Sequence, residues 1–390
     1  LPRARRHRPF LLAAAAPLLA ALGCVDNQDG SKTLYVFDNS SSSTYTKQVM
    51  VWDDVNVPYA LGTGATAATP DRTFTSSSLS GVALAWGGLA IDSVSNRVYL
   101  LSETGTVYVI PSASTASGTL STGTTTFYYF DLGSTDDRYD SGVFGQLAVD
   151  PTTNYLYAME TTLTGSKSRV WRVASPSGQY YTTIAASGNT TNSGGDTFGA
   201  GVAVKTGGEA FGLFGNGSTV WGGISGLSDY TGARIRLTSG KSFVSNPSYG
   251  VSGYLGNVVI GDSTGLTASL SYGALAYDNS NSQLYVLSEG TTPVRVWNRS
   301  QFGYTYDQAY VRSLTNDSGL LSNLRTISHP YDSDWLLGAY YTVAPTDTDT
   351  GTGGTDLMIW KTPSSDGGTP VQVTLPGSPD IRGMAIGGGD

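Results

Sequence analysis

An internal repeat constrains this chain more than any other feature. A first motif reads aromatic-Gly, a short apolar strand, an Asp turn, then a strand carrying Tyr. It appears as Trp86-Gly-Gly-Leu-Ala-Ile-Asp92 followed by Arg97-Val-Tyr-Leu-Leu-Ser-Glu103. It returns as Phe144-Gly-Gln-Leu-Ala-Val-Asp150 with Tyr155-Leu-Tyr-Ala-Met-Glu160, and as Tyr272-Gly-Ala-Leu-Ala-Tyr-Asp278 with Gln283-Leu-Tyr-Val-Leu-Ser-Glu289. Divergent copies begin at Phe198-Gly199, Leu324-Arg325 and Ile381-Arg382. A second motif, a β-branched residue and then a large aromatic, follows in each unit. The pairs are Val51-Trp52, Val107-Tyr108, Val170-Trp171, Val220-Trp221, Val296-Trp297 and Ile359-Trp360. Period-2 alternation within the motifs, with Gly, Asn, Asp and Ser between them, predicts strands and turns.

Each unit closes on another alternating run, such as Thr126-Phe-Tyr-Tyr-Phe-Asp131, Ala233-Arg-Ile-Arg-Leu237 or Val371-Gln-Val-Thr-Leu375. Four strands per unit is the layout of a propeller blade. The expected fold is therefore all-β: a six-bladed β-propeller of four-stranded blades. Gly383-Met-Ala-Ile386 reads as an innermost strand that lacks partners after it. Lys32-Thr-Leu-Tyr-Val-Phe37 and Lys47-Gln-Val-Met-Val-Trp52 supply them, so pairing of the N- and C-terminal strands closes the ring and removes an open edge. The wide gap between Phe198 and Tyr272 predicts an insertion within 240–270. Composition agrees: 50 Gly, 24 Tyr, 13% charged residues and 4 Glu against 26 Asp favour strands and turns over helices.

The Leu-Ala-Ile/Val-Asp strands with their following Leu-Tyr strands resemble the β-propeller class that includes NHL, YVTN and gluconolactonase-like repeats. That resemblance covers nearly the whole chain after the leader, and it specifies fold better than activity. Gluconolactonase-like enzymes hold a divalent metal in the channel through carboxylate and amide side chains. The inner strands here offer Leu, Ala, Ile and Val instead.

The chain opens with Arg3, Arg5, Arg6 and Arg8, an apolar run from Phe10 to Leu22, and then Gly23-Cys24. A basic segment before a short apolar one reads as a secretory signal. Ala21-Leu22-Gly23-Cys24 resembles a bacterial lipobox, which implies that Cys24 becomes the lipidated first residue. Cys24 is the only cysteine, so no intrachain disulfide forms. The expected organisation is 1–23 signal peptide, 24–31 tether and 32–390 a single propeller domain. The address is the bacterial envelope, anchored by lipid on the extracytoplasmic side. Val25 lacks the Asp associated with inner-membrane retention, which favours the outer membrane. A net charge of −8 argues against nucleic acid as a partner.

Candidate chemistry is sparse. Trp86, Phe144, Phe198 and Tyr272 precede inner strands, and Arg325 and Arg382 fall near the same register. A channel mouth with aromatic rings and two guanidinium groups would suit a sugar or an anionic group. The competing reading has each aromatic wedged between blades beside its Gly. His329 invites a general-base role, yet it aligns with Asp150, which assigns it to a turn. Glu103, Glu160 and Glu289 recur at one repeat position and read as structural. Asp347, Asp349 and Asp356 offer hard oxygen ligands for calcium; otherwise no cofactor is expected. No catalytic residue stands out. The expected function is a binding or assembly module for an envelope protein or surface glycan. The alternatives are a metal-dependent lactonase or hydrolase, and a structural subunit of a surface layer or filament.

Overall fold

Alternating Leu-Ala-Ile/Val-Asp segments form the innermost strands because one residue of each pair can pack on a neighbouring sheet while the next faces the axis. The computed structural model describes residues 32–40, 47–66, 69–123, 126–132, 143–161, 169–174, 182–186, 198–215, 234–239, 254–259, 275–287, 294–301, 311–314, 324–331, 334–341, 355–361, 363–364, 370–377 and 379–387. Their strands fall into six sheets, and the protein is an all-β β-propeller. We number the sheets by the chain order of their inner strands.

Sheet 1 runs outward through Leu84–Asp92, Arg97–Ser102, Thr106–Pro111 and Tyr128–Asp131. Sheet 2 uses Val143–Asp150, Tyr155–Thr161, Arg169–Ala174 and Thr182–Ala186. Sheet 3 uses Phe198–Lys205, Glu209–Gly215, Arg234–Ser239 and Tyr254–Val259. Sheet 4 uses Leu275–Asp278, Gln283–Leu287, Val294–Asn298 and Arg312–Leu314. Sheet 5 begins with Leu324–Ser328, Trp335–Tyr341, Thr355–Lys361 and Val371–Thr374. Sheet 6 joins the termini: Ile381–Gly387 lies inside Thr33–Asp38, followed by Gln48–Trp52 and Arg72–Thr75.

The terminal pairing is antiparallel, with Leu34 opposite Ile386 and Tyr35 opposite Ala385. The six inner strands touch in ring order, and Ile381–Gly387 contacts both Leu84–Asp92 and Leu324–Ser328. Apolar clusters fill each gap between neighbouring sheets, so the core is itself a ring. Four of the five tryptophans of the second motif, Trp52, Trp171, Trp297 and Trp360, sit fully buried on third strands. Burial of each large side chain contributes about 1.5–3 kcal/mol.

Two expectations need correction. Sheets 5 and 6 carry a fifth strand rather than stopping at four. Ala65–Thr66 lies parallel to Val371–Thr374, and Gly118–Thr119 lies parallel to Arg72–Thr75. Each comes from the connector between third and fourth strands of one sheet and covers the outer edge of the preceding sheet, satisfying its backbone groups. In sheet 3, Arg234–Ser239 forms the third strand, so the run expected as a fourth strand lies one strand further in; Ala233 and Val220-Trp221 lie outside the described residues. The fourth strand is Tyr254–Val259, inside the 240–270 stretch where an insertion is expected; the rest of that stretch lies outside the described residues.

The repeated motif has a local physical basis. Ala90, Ala148, Ala276 and Ala385 stand directly opposite Tyr99, Tyr157, Tyr285 and Tyr35, where a small residue makes room for the ring. Asp92, Asp150 and Asp278 are fully buried and accept hydrogen bonds from the turn N–H groups of Ser95, Thr152 and Asn281 at 2.8–2.9 Å. Four residues after each Asp, Asn96, Asn154 and Ser282 take positive φ of 52–57°, which closes the hairpin. Asp150 also accepts from Gly207 N–H of the next sheet at 3.0 Å, making the turn a latch between sheets.

Candidate functional site

The aromatic-Gly step is a β-bulge. In sheet 2, Phe144 faces Glu160 and Leu147 faces Ala158, so Gly145 and Gln146 oppose Met159 alone. Pairing likewise leaves Ala200 extra in sheet 3, Arg325 in sheet 5 and Arg382 in sheet 6. A bulge bends the strand and re-aims one side chain. Phe198 stands seven residues before Lys205, whereas Phe144 stands six before Asp150, so the two aromatics are not in one register.

Gln146 uses this bulge to seal the channel. Its Oε1 accepts from Val202 N–H at 3.1 Å and Leu275 N–H at 3.2 Å; its Nε2 donates to the carbonyls of Leu275 at 2.5 Å and Ile327 at 3.4 Å. One buried amide thus ties sheet 2 to the inner strands of sheets 3, 4 and 5. Gly201 permits this: a Cβ there would lie 2.7 Å from Gln146 Oε1. Sequence reading passed over Gln146, although it interrupts a position that is Gly or Ala in four of the other copies, Gly88, Gly201, Ala274 and Gly383.

Between Gln146 and the Asp-turn end of the inner strands lies a small cavity of about 80 Å³. Its walls include Ile91, Ala148, Val149, Val204, Ala276 and Ile386, with Ser93, Asn279, Ser328, His329 and Tyr331 at the turn level. Tyr277 lines one side and stacks on Phe211 at 4.8 Å, and burial pushes its phenol up to about 12. An apolar wall with hydroxyl and amide groups at the turn level fits contact with a ligand group entering from the mouth.

The opposite end of the channel is latched. Arg382 lies 4.0 Å over the Trp86 ring and bonds Glu103 and Asp380, each at 3.1 Å. Asp380 accepts from Asn39, whose Oδ1 accepts from Lys47 at 3.1 Å. Burial pushes the neighbouring Asp38 carboxyl above the usual carboxylate range, opposed by its bonds to Ser40 and Asp380 N–H. Phe144 is 1% exposed and packs so closely on Gly105 that a Cβ there would come within 2.6 Å of its ring. Of the six residues expected at a mouth, Trp86, Phe144 and Arg382 are packed or ion-paired. The side chains of Phe198, Tyr272 and Arg325 lie outside the described residues.

The recurring glutamates are structural where described: Glu103 pairs with Arg382, and Glu160 accepts from Trp171 Nε1 at 2.5 Å. Asp356 sits in the third strand of sheet 5 and accepts from Gln372 at 2.7 Å. Asp347 and Asp349 lie outside the described residues. His329 does occupy a turn after an inner strand, as its alignment with Asp150 predicts. That turn also brings it beside Asp278 and Asp334, and one ligand atom from each of the three lies within 4.8 Å of the others. Sequence reading missed this cluster because Asp278 and Asp334 belong to different sheets.

No family model matches the chain, and no curated protein does. Among solved structures, a chain from a nidogen/laminin complex aligns with a TM-score of 0.53 at 12% identity, over 93% of this chain and all of that one. At that identity the likeness carries the β-propeller fold alone.

Proposed function

We propose that this protein is a lipid-anchored, extracytoplasmic six-bladed propeller that serves as a binding or assembly module for an envelope protein or surface glycan. The observation that carries the reading is the cavity at the Asp-turn mouth. Its wall is apolar, its floor is an amide engaged with backbone, and its rim holds hydroxyl and amide groups suited to a peptide or sugar. The similar solved chain comes from a complex of two proteins, which is compatible with a protein partner. The leader 1–23, the lipidated Cys24 and a tether to residue 31 place the propeller at the membrane surface, the outer membrane being preferred. The Leu-Ala-Ile/Val-Asp repeat supports kinship with the NHL, YVTN and gluconolactonase-like class.

The anchor has a direct test. Cys24→Ser moves the chain from the membrane pellet to the soluble extracytoplasmic fraction, and the wild-type N-terminal peptide carries lipid mass on Cys24. Two acyl signals are what stable anchoring requires. Wild-type protein recovered in the soluble fraction with an unmodified Cys24 would overturn the lipid anchor.

A further inference from the structure

His329 breaks the Asp pattern of the turns, and its surroundings say what the exchange achieves. Its Nδ1 lies 2.7 Å from the carbonyl oxygen of Pro330. A carbonyl only accepts, so Nδ1 donates to it, and Nε2 is the ring nitrogen that faces Asp278. That nitrogen sits 3.7 Å from Asp278 Oδ2, and both side chains are fully buried. An imidazole nitrogen and a carboxylate oxygen converge here in a buried place, the kind of donor set that holds a cation. Asp334, immediately before the second strand of sheet 5, completes the set.

We propose that Asp278, His329 and Asp334 form a divalent-metal site of the zinc class, joining sheet 4 to sheet 5 beside the cavity mouth. Two ligand atoms on one zinc at about 2.0–2.2 Å stand roughly 3.3–3.6 Å apart in a tetrahedron, close to the spacing of His329 Nε2 and Asp278 Oδ2. One imidazole with two carboxylates suits zinc, whereas calcium prefers an all-oxygen shell. The outer partners are those of a built site. Nδ1–H on a backbone carbonyl fixes the ring, as is usual for metal-bound histidine. Asn281 bonds both oxygens of Asp278 through its N–H and amide, each at 2.8 Å. Ser364 bonds both oxygens of Asp334 through its N–H, at 3.2 Å, and its hydroxyl. Tyr285 stacks on the imidazole at 5.6 Å and 17°, holding it in plane.

This site is independent of the ligand-binding reading, since it concerns the junction of two sheets. The test uses the full chain with Cys24→Ser, which removes the one thiol able to compete for zinc. After dialysis against zinc, metal analysis reads one equivalent per chain, and cobalt(II) at the site gives a visible ligand-field spectrum. His329→Gln and Asp334→Asn each weaken zinc binding by about 100-fold or more, and His329→Gln abolishes the cobalt spectrum. Asp347→Asn leaves both unchanged. A folded chain that takes up no zinc overturns the site, as does uptake that survives His329→Gln. Loss of uptake in Asp347→Asn alone also overturns it, by moving the metal to the acidic loop. A protonated His329 paired with the two carboxylates would explain the first of these results.

Discussion

Gln146→Leu lowers stability by about 3–5 kcal/mol, the effect of leaving buried backbone groups of three sheets without their hydrogen-bond partner. The side chains are similar in size, so little of this loss comes from a cavity. Val202 N–H and Leu275 N–H lose an acceptor, and the carbonyls of Leu275 and Ile327 lose a donor. With an unfolding entropy near 2.1 cal/mol/K per residue, the midpoint temperature falls by roughly 4–7 °C. Denaturant titration beside calorimetry checks the number. Gln146→Glu is expected to be worse, because a carboxylate cannot donate to either carbonyl and is costly to bury. A change below about 1 kcal/mol in Gln146→Leu would show that the ring does not depend on this amide.

Alkaline pH unfolds the protein between about pH 10 and 12. Burial, the largest cause in each case, pushes the phenols of Tyr157, Tyr277 and Tyr285 upward, with Tyr277 reaching about 12. A free tyrosine ionises near 10, so above that pH the unfolded chain releases protons that the folded chain retains. The stability from these groups is whole below pH 10 and is lost as pH rises through the folded values. Each contributes a slope of about 1.4 kcal/mol per pH unit while the two states differ. Three together cost up to about 8 kcal/mol by pH 12, which is comparable to the whole stability of a domain. Phenolate absorbance and circular dichroism followed together test this: ionisation of these tyrosines should coincide with loss of structure. A full phenolate titration near pH 10 with the sheets intact would contradict it.

The ring was legible because its causes are local and repeated. Alternation marks the strands, the Leu-Ala-Ile/Val-Asp run pairs a small residue with each Tyr, and the lone strand at the C-terminus has its partners at the N-terminus. Sheet 3 was misread because Trp221 carries the aromatic signature of a third strand, whereas Arg234–Ser239 forms the ladder. The short edge strands Ala65–Thr66 and Gly118–Thr119 were hidden because two-residue parallel pairing leaves no periodic trace. The site was less legible. Aromatic-Gly suggested a displayed ring of side chains, while the Gly marks a bulge whose neighbours pack inward. Gln146 acts through backbone atoms of distant strands, and Asp278 meets His329 only across a sheet boundary. Neither relation leaves a spacing in the chain.

The central claim is that the Asp-turn mouth binds a partner at the membrane surface. Photo-crosslinking in intact cells tests it most directly, with the reactive residue at Val94 or at Thr104 of the full chain. Val94 is 66% exposed in the turn after Asp92, beside Ser93 of the cavity rim. Thr104 is exposed in the hairpin at the opposite end, next to Glu103 of the latched network. The account predicts a discrete adduct with one envelope protein or glycan from Val94 and none from Thr104. Adducts from Thr104 alone would return binding to the Trp86 and Arg382 end and contradict the assignment of the open mouth.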